Sequence, residues 1–162
     1  PEGWDYGGWA QSGEIDIMEA VNLGTSCDTC PGQIEDRVLG TIHFGGLPPR
    51  NRYIGDETPM PAPLDGFHVY EIEWDATGIV WRVDGVDFAR RAPHEWHSLG
   101  SDKPGAPFDR PFHLILNLAI GGHLPEGRNS KGVDPTGFPK TMQIDWVRVW
   151  QKDAVPPTEN GQ

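Results

Sequence analysis

Three acidic side chains fall close together in Gly13-Glu14-Ile15-Asp16-Ile17-Met18-Glu19-Ala20. In a plain strand alternate residues share a face, so Glu19 would join Ile15 and Ile17 in the interior. An unpaired carboxylate there costs several kcal/mol. A β-bulge with Met18 as the inserted residue turns Glu14, Asp16 and Glu19 to one side. Carboxylates in a row repel one another, which raises at least one pKa: one carboxyl keeps its proton near neutrality while another stays ionised. That division of labour is what cleavage of a glycosidic bond requires, one carboxylate attacking and one carboxylic acid protonating the leaving oxygen. Retaining catalysis holds the pair about 5–5.5 Å apart. Along a strand the two Glu Cα atoms lie roughly 13 Å apart, so curvature and side-chain lean must close the gap. Spacing alone leaves two other readings open. The stretch also suits a turn of exposed helix, since Glu, Met and Ala favour helices, or an acidic strand face that keeps the chain soluble.

The elements that would position these groups read as strands. Residues 14–20 form the first, and 37–44 the second, ended by Gly45-Gly46. Residues 67–75 alternate with period two. Residues 79–83 and 86–90 flank Asp84-Gly85, the strongest short hairpin signal. Residues 111–120 and 141–150 read as later strands, the second clearly alternating. Segments 1–13, 21–36, 47–66, 92–110 and 121–139 are rich in Gly, Pro or polar residues and read as loops. No helical window competes. The reading is an all-β, antiparallel sandwich of about six strands, spanning 1–151, with a polar tail or linker over 152–162.

Composition narrows the partners. Of 162 residues, 24 are acidic and 13 basic, for a net charge of −11. Nucleic acid and anionic membranes want the opposite sign, and no apolar run approaches a membrane span. A neutral polymer is compatible. Cys27 and Cys30 supply half a zinc site at most, so they read as a local disulfide in a secreted, extracellular or periplasmic protein. Flat rings stack on sugar faces. Trp9, five residues before Glu14 in a Gly-rich loop, is the leading candidate, with Trp4 behind it. Asn117 interrupts an apolar run, and an isolated amide there needs partners; a place facing the cleft would supply them. Trp74, Trp81, Trp146 and Trp150 fit alternating strand positions and read as core.

The stretch from Gly13 to Ala20 resembles the active-site signature of glycoside hydrolase family sixteen, in its laminarinase-like branch, with its E-I-D-x-x-E. Further segments are similar to that family in its order: Tyr6-Gly7-Gly8-Trp9, then 40–46 (GTIHFGG), 106–112 with 116–122, and 144–149 (IDWVRV). The resemblance implies a concanavalin-like jelly roll whose catalytic strand lines a concave cleft. It implies Glu14 as nucleophile, Glu19 as general acid/base and Asp16 tuning the nucleophile. His43 would border the leaving-group side. It implies no cofactor for catalysis, and a structural calcium ion on the convex face with Asp145 as a ligand; a salt bridge from Asp145 to Arg148 is the plainer alternative. The substrate implied is a β-glucan of the β-1,3 type, with mixed β-1,3/1,4 linkages tolerated. Agarases and carrageenases share the bulge, and non-catalytic glucan-binding proteins share the sandwich but typically lose the glutamates. The family carries about as much chain again before the catalytic strand. Several N-terminal strands are therefore expected to be missing from this chain: either a companion N-terminal fragment completes the sandwich, or the chain is a fragment, or it is an unusual compact variant. His123-Leu124-Pro125 stands where relatives often place an aromatic residue before the proline.

Overall fold

A computed structural model describes residues 4–129 and 132–152. Among these residues six strands form two antiparallel sheets. The first has the order β1 (Glu14–Glu19), β2 (Arg37–Gly45), β3 (Asn51–Pro59); the second has β4 (Tyr70–Asp75), β5 (Gly78–Val83), β6 (Val86–Arg91). The inner faces meet over a core of Ile42, Phe44, Ile79, Trp81, Ala89, Trp96 and Phe108, with Ile15, Ile54, Ile72 and Trp74 packed against it. A smaller cluster of Val38, Met60 and Val83 fills the other end. In β2 the apolar residues Val38, Ile42 and Phe44 all face inward, while His43 on the opposite face is only half-buried. One face of this sheet is thus committed to the core, and the other is free for chemistry.

The hairpin expected at Asp84-Gly85 is present. Both residues take positive φ, 49° and 78°, as a two-residue turn matched to strand twist requires. The Asp84 carboxylate accepts the Val69 N–H at 2.8 Å and lies 2.9 Å from His68 Nδ1, while His68 Nε2 meets the Pro63 carbonyl at 2.9 Å. These contacts pull 68–69 out of the ladder, so the strand expected over 67–75 begins only at Tyr70. The sheets are also joined at the β3–β6 side, where Arg91 Nη2 donates to Asp56 Oδ2 at 2.7 Å.

Other expectations need correction. Residues 47–66 are not all loop, because β3 pairs with β2 along nine consecutive positions. Its sequence, NRYIGDETP, hid it: Ile54 is the one apolar side chain that β3 turns into the core, so the period-two apolar signal is nearly absent. Conversely, 111–120 and 141–150 lie outside any strand or ladder, and their apolar side chains are exposed, apart from Phe112, which packs against the core. A strand needs a partner for its backbone N–H and C=O groups and a layer over its apolar face. Among the described residues neither segment has both. Of the four tryptophans read as core, Trp81 is buried and Trp74 is packed against the core, but Trp146 and Trp150 are exposed. Among the described residues helical structure is limited to a turn at Pro93–Glu95 and a short helix, α1, at His123–Glu126. No helix among the described residues is long and apolar enough to cross a membrane. The expected tail lies, beyond Lys152, outside the described residues.

Candidate active site

The bulge is the local feature on which the site depends. β1 pairs with β2 as Glu14 with His43, Ile15 with Ile42 and Asp16 with Thr41; the register then slips, and Glu19 faces Leu39. Two residues of β1, Ile17 and Met18, therefore oppose Gly40 alone. Directly opposed residues share a face, and 39, 41 and 43 alternate along β2. Glu14, Asp16 and Glu19 consequently all project from the outer face, and Met18 is exposed.

The reason lies beneath the sheet. Trp81 of β5 is buried under the bulge, and its Nε1–H donates to the Asp16 carbonyl at 2.9 Å, satisfying a backbone group that lies where the register slips. Gly40 leaves the room: a Cβ there would lie 2.5 Å from Trp81 Cδ1. Glycine therefore opposes the inserted residue for want of space.

On the outer face the polar groups converge. Ligand atoms of Glu14, Asp16 and His43 all lie within 4.8 Å of one another. Trp9 Nε1 donates to Glu14 Oε2 at 2.5 Å, and the Trp9 ring lies 5.5 Å from that of His43. His43 Nε2 sits 3.2 Å from Asp16 Oδ2. That oxygen has no aligned hydrogen-bond donor, so the contact acts through charge. Burial pushes the Glu19 carboxyl above the usual glutamate value, and the neighbouring charges of Asp16 and Glu14 add to this; His43 and the Thr41 hydroxyl oppose it without cancelling it. For His43, burial favours the neutral ring, but Asp16, Glu14 and Glu19 together outweigh it and hold the imidazole above its ordinary value of 6.5. The arrangement thus combines an ionisable carboxylate gripped by an indole N–H, a carboxyl biased towards its protonated form, and a cation-prone imidazole beside both.

The loop bearing Trp9 is tied down at several points. Ser12, fully buried, donates to the Gly7 carbonyl at 2.6 Å and accepts the Tyr6 N–H. The Ala10 N–H reaches the Gly46 carbonyl at the end of β2. Tyr6 donates to Asp109 at 2.8 Å. These bonds connect the aromatic lead-in to Gly46, just past the end of β2, and to Asp109.

The structure brings Glu14, Asp16, Glu19, His43 and Trp9 together. Trp4 stands exposed in the same loop, outside the ring contacts that join Trp9 and His43. Asn117 is exposed in a segment that forms no strand; the expectation that it sits mid-strand is corrected for the reason given above. Asp145 is likewise exposed, and it forms no ion pair with Arg148, whose guanidinium instead lies 4.6 Å over the Trp146 ring. Among the described residues Asp145 joins no cluster of three acidic, imidazole or thiol ligands. One exposed carboxylate does not fit a calcium site, and no chemistry is derived through one. Cys27 and Cys30 form a disulfide, which removes both thiols as metal ligands. Two neighbours escaped the sequence reading. Thr41 was legible, since it alternates with His43. Tyr53 was not, because β3 was hidden.

Residues 6–148 match the Glycosyl hydrolases family 16. The chain belongs to that family. It is 41% identical over 151 residues to a glucan endo-1,3-beta-glucosidase A1 of Niallia circulans, covering 91% of this chain and 20% of that protein. It is 29% identical to a beta-1,3-glucan-binding protein of Penaeus monodon, covering 95% of this chain and 53% of that protein. Among solved structures it superposes on the laminarinase from Rhodothermus marinus with a TM-score of 0.63 and 35% identity, covering 86% of this chain and 51% of that one. The chain therefore spans about half or less of the length of the relatives it matches. For that portion the expected family, all-β class and jelly roll are borne out.

Proposed function

We propose that this chain carries the catalytic strand of a retaining endo-β-1,3-glucanase acting on laminarin-type β-glucan, with mixed β-1,3/1,4-glucan as a secondary substrate. The observation that carries the reading is the slipped register of β1, which puts three carboxylates on one open face. In this reading Glu14, oriented by the Trp9 N–H, attacks the anomeric carbon. Glu19, held protonated by burial and by its acidic neighbours, delivers its proton to the leaving oxygen. The glycosyl–Glu14 ester then forms, and Glu19, now ionised, takes a proton from the water that hydrolyses it. Asp16 sits between them and sets the charge that each feels. Trp9 lies beside the attacked carbon as a sugar platform.

The relative named as a glucan-binding protein raises the alternative of binding without cleavage. Retention of all three carboxylates favours hydrolysis. The test is reducing-sugar release from laminarin, lichenan and agarose. Release from laminarin, abolished in Glu14→Gln with laminarin binding retained, supports the proposal. Binding without release by the wild type would establish the lectin-like reading, and release from agarose alone would replace the substrate.

Two further parts belong to this proposal. The Cys27–Cys30 disulfide supports an extracellular or periplasmic location. The exposed apolar stretches at 114–120 and 142–150 support a companion strand-bearing N-terminal segment that completes the sandwich.

A further inference from the structure

The loop that carries Trp9 rests on a segment that the mechanism has not used. Trp9 lies in a turn closed by the Gln11 N–H on the Gly8 carbonyl at 2.8 Å, and its Nε1–H reaches Glu14 Oε2. The Gln11 carbonyl, at the end of that turn, accepts the Ser98 hydroxyl at 2.6 Å. Ser98 is buried, and its oxygen in turn accepts the Gly100 N–H at 3.1 Å. The hydroxyl is thus used as donor and as acceptor at once. The backbone on either side of Ser98 is fixed to the end of β2. The Gly45 N–H donates to the His97 carbonyl at 3.0 Å, and the Leu99 N–H donates to the Gly45 carbonyl at 2.8 Å. The His97 ring meets the core residue Phe44 edge-on, with centroids 5.5 Å apart. At the start of the loop Gly100 comes so close that a Cβ on it would overlap the Tyr6 carbonyl oxygen. Residues 97–100 therefore form a shelf, anchored to β2, under both ends of the Trp9 loop.

We propose that Ser98 is a positioning residue for the hydrolytic reaction, keeping the Trp9 N–H on the Glu14 carboxylate through its bond to the Gln11 carbonyl. The loop contains Gly7, Gly8 and Gly13, so its own covalent structure restricts it little. A buried carbonyl is costly to leave unpaired, and the Ser98 bond therefore gives the turn one favoured seat. In that seat the indole occupies Glu14 Oε2 and leaves the other oxygen free to attack the anomeric carbon. Ser98 bonds to backbone groups alone, so it acts through the loop. This inference rests on the hydrolase reading above.

The test is a double-mutant cycle on laminarin with Ser98→Ala, Trp9→Phe and the double variant. Trp9→Phe keeps a ring and removes the N–H. A small misplacement of a reacting group is costly, so Ser98→Ala is expected to lower kcat/KM about tenfold with the indole present. In the Trp9→Phe background the same change should cost less than roughly twofold, since coupled residues are not additive. Equal costs in both backgrounds mean a merely structural role and overturn the inference, as does a Ser98→Ala protein with wild-type kcat/KM. Ser98→Thr retains the hydroxyl and is expected to recover most of the loss. Ser98→Cys, close in size with a weak donor, takes the place of Ser98→Ala in the cycle if that variant does not fold, and is judged by the same comparison of backgrounds. A second readout needs no turnover. Trp9 emission, taken as the difference between each protein and its Trp9→Phe counterpart, is quenched by a charged imidazole whose ring lies 5.5 Å away. It should brighten in wild type as pH rises through the titration of His43, and lose at least about half of that change in Ser98→Ala. An identical titration in both proteins overturns the seating of Trp9 by Ser98. An inactive wild type defeats the hydrolase reading alone, and the emission then decides whether Ser98 seats the indole.

Discussion

Glu19 and His43 feel each other, and the sign of that coupling is measurable. Glu19 is raised mainly by burial and then by Asp16, while His43 lowers it. Replacing His43 by Gln removes a cation, so the Glu19 carboxyl rises further and the basic limb of kcat/KM moves to higher pH. Replacing Asp16 by Asn removes the largest raising charge, so the limb moves to lower pH. It also removes the partner that holds His43 up. A pH–rate profile on laminarin checks both, and shifts in the same direction would contradict the assignment of Glu19 as the acid. Loss of Glu19 as an acid, in Glu19→Gln, is expected to cost about 10²–10⁴-fold in kcat. The placing of the three carboxylates on one face was legible because an acidic residue has no tolerable place on the core side of a strand, which forces the bulge. Asn117 and Asp145 were misplaced because an isolated polar residue in an apolar run reveals nothing of what covers that run.

At the scale of the element, the bulge is kept by a residue with no side chain. Gly40→Ala would drive a methyl group into the Trp81 ring. Overpacking of this kind costs about 1–3 kcal/mol. Displacement of Trp81 also frees the Asp16 carbonyl and loosens the register that aims Glu19. The expected outcome is a lower thermal midpoint together with a fall in kcat larger than the change in KM. An unchanged kcat in a folded variant would show that the register holds without Trp81. Strands β1, β2, β4, β5 and β6 were legible in the sequence through alternation and the Asp-Gly turn, β4 beginning three residues later than expected. β3 was not, because an edge strand that buries one apolar side chain carries almost no periodic signal. Residues 111–120 and 141–150 carry that signal strongly and yet pair with nothing among the described residues; periodicity reports a strand's faces and is silent about its neighbours.

At the scale of the whole molecule, two apolar segments that have no covering layer among the described residues are expected to dominate behaviour in solution. Leu114 to Ile120 and Met142 to Trp150 expose large side chains, Val149 by 80%. The isolated chain is expected to bind a hydrophobic dye and to self-associate, and a companion segment supplying strands should suppress both. Dye fluorescence and light scattering with and without that segment measure this, and a non-fluorescent, monodisperse chain alone would contradict it. The clip between His68 and Asp84 has a consequence for the conditions under which the sandwich lasts. Asp84 holds His68 above 6.5, and the Pro63 carbonyl adds to this. This support is fully present below 6.5 and drains away as alkali titrates the folded imidazole. His43 tilts the same way. Asp84 itself is held below 3.8 by His68 and the Val69 amide, and Glu35 below 4.5 by Arg37; their support is complete above those values and fails as acid protonates them. Chemical melts across the pH scale should therefore peak between roughly 4.5 and 6.5, so this pair of contacts favours a mildly acidic working range over an alkaline one.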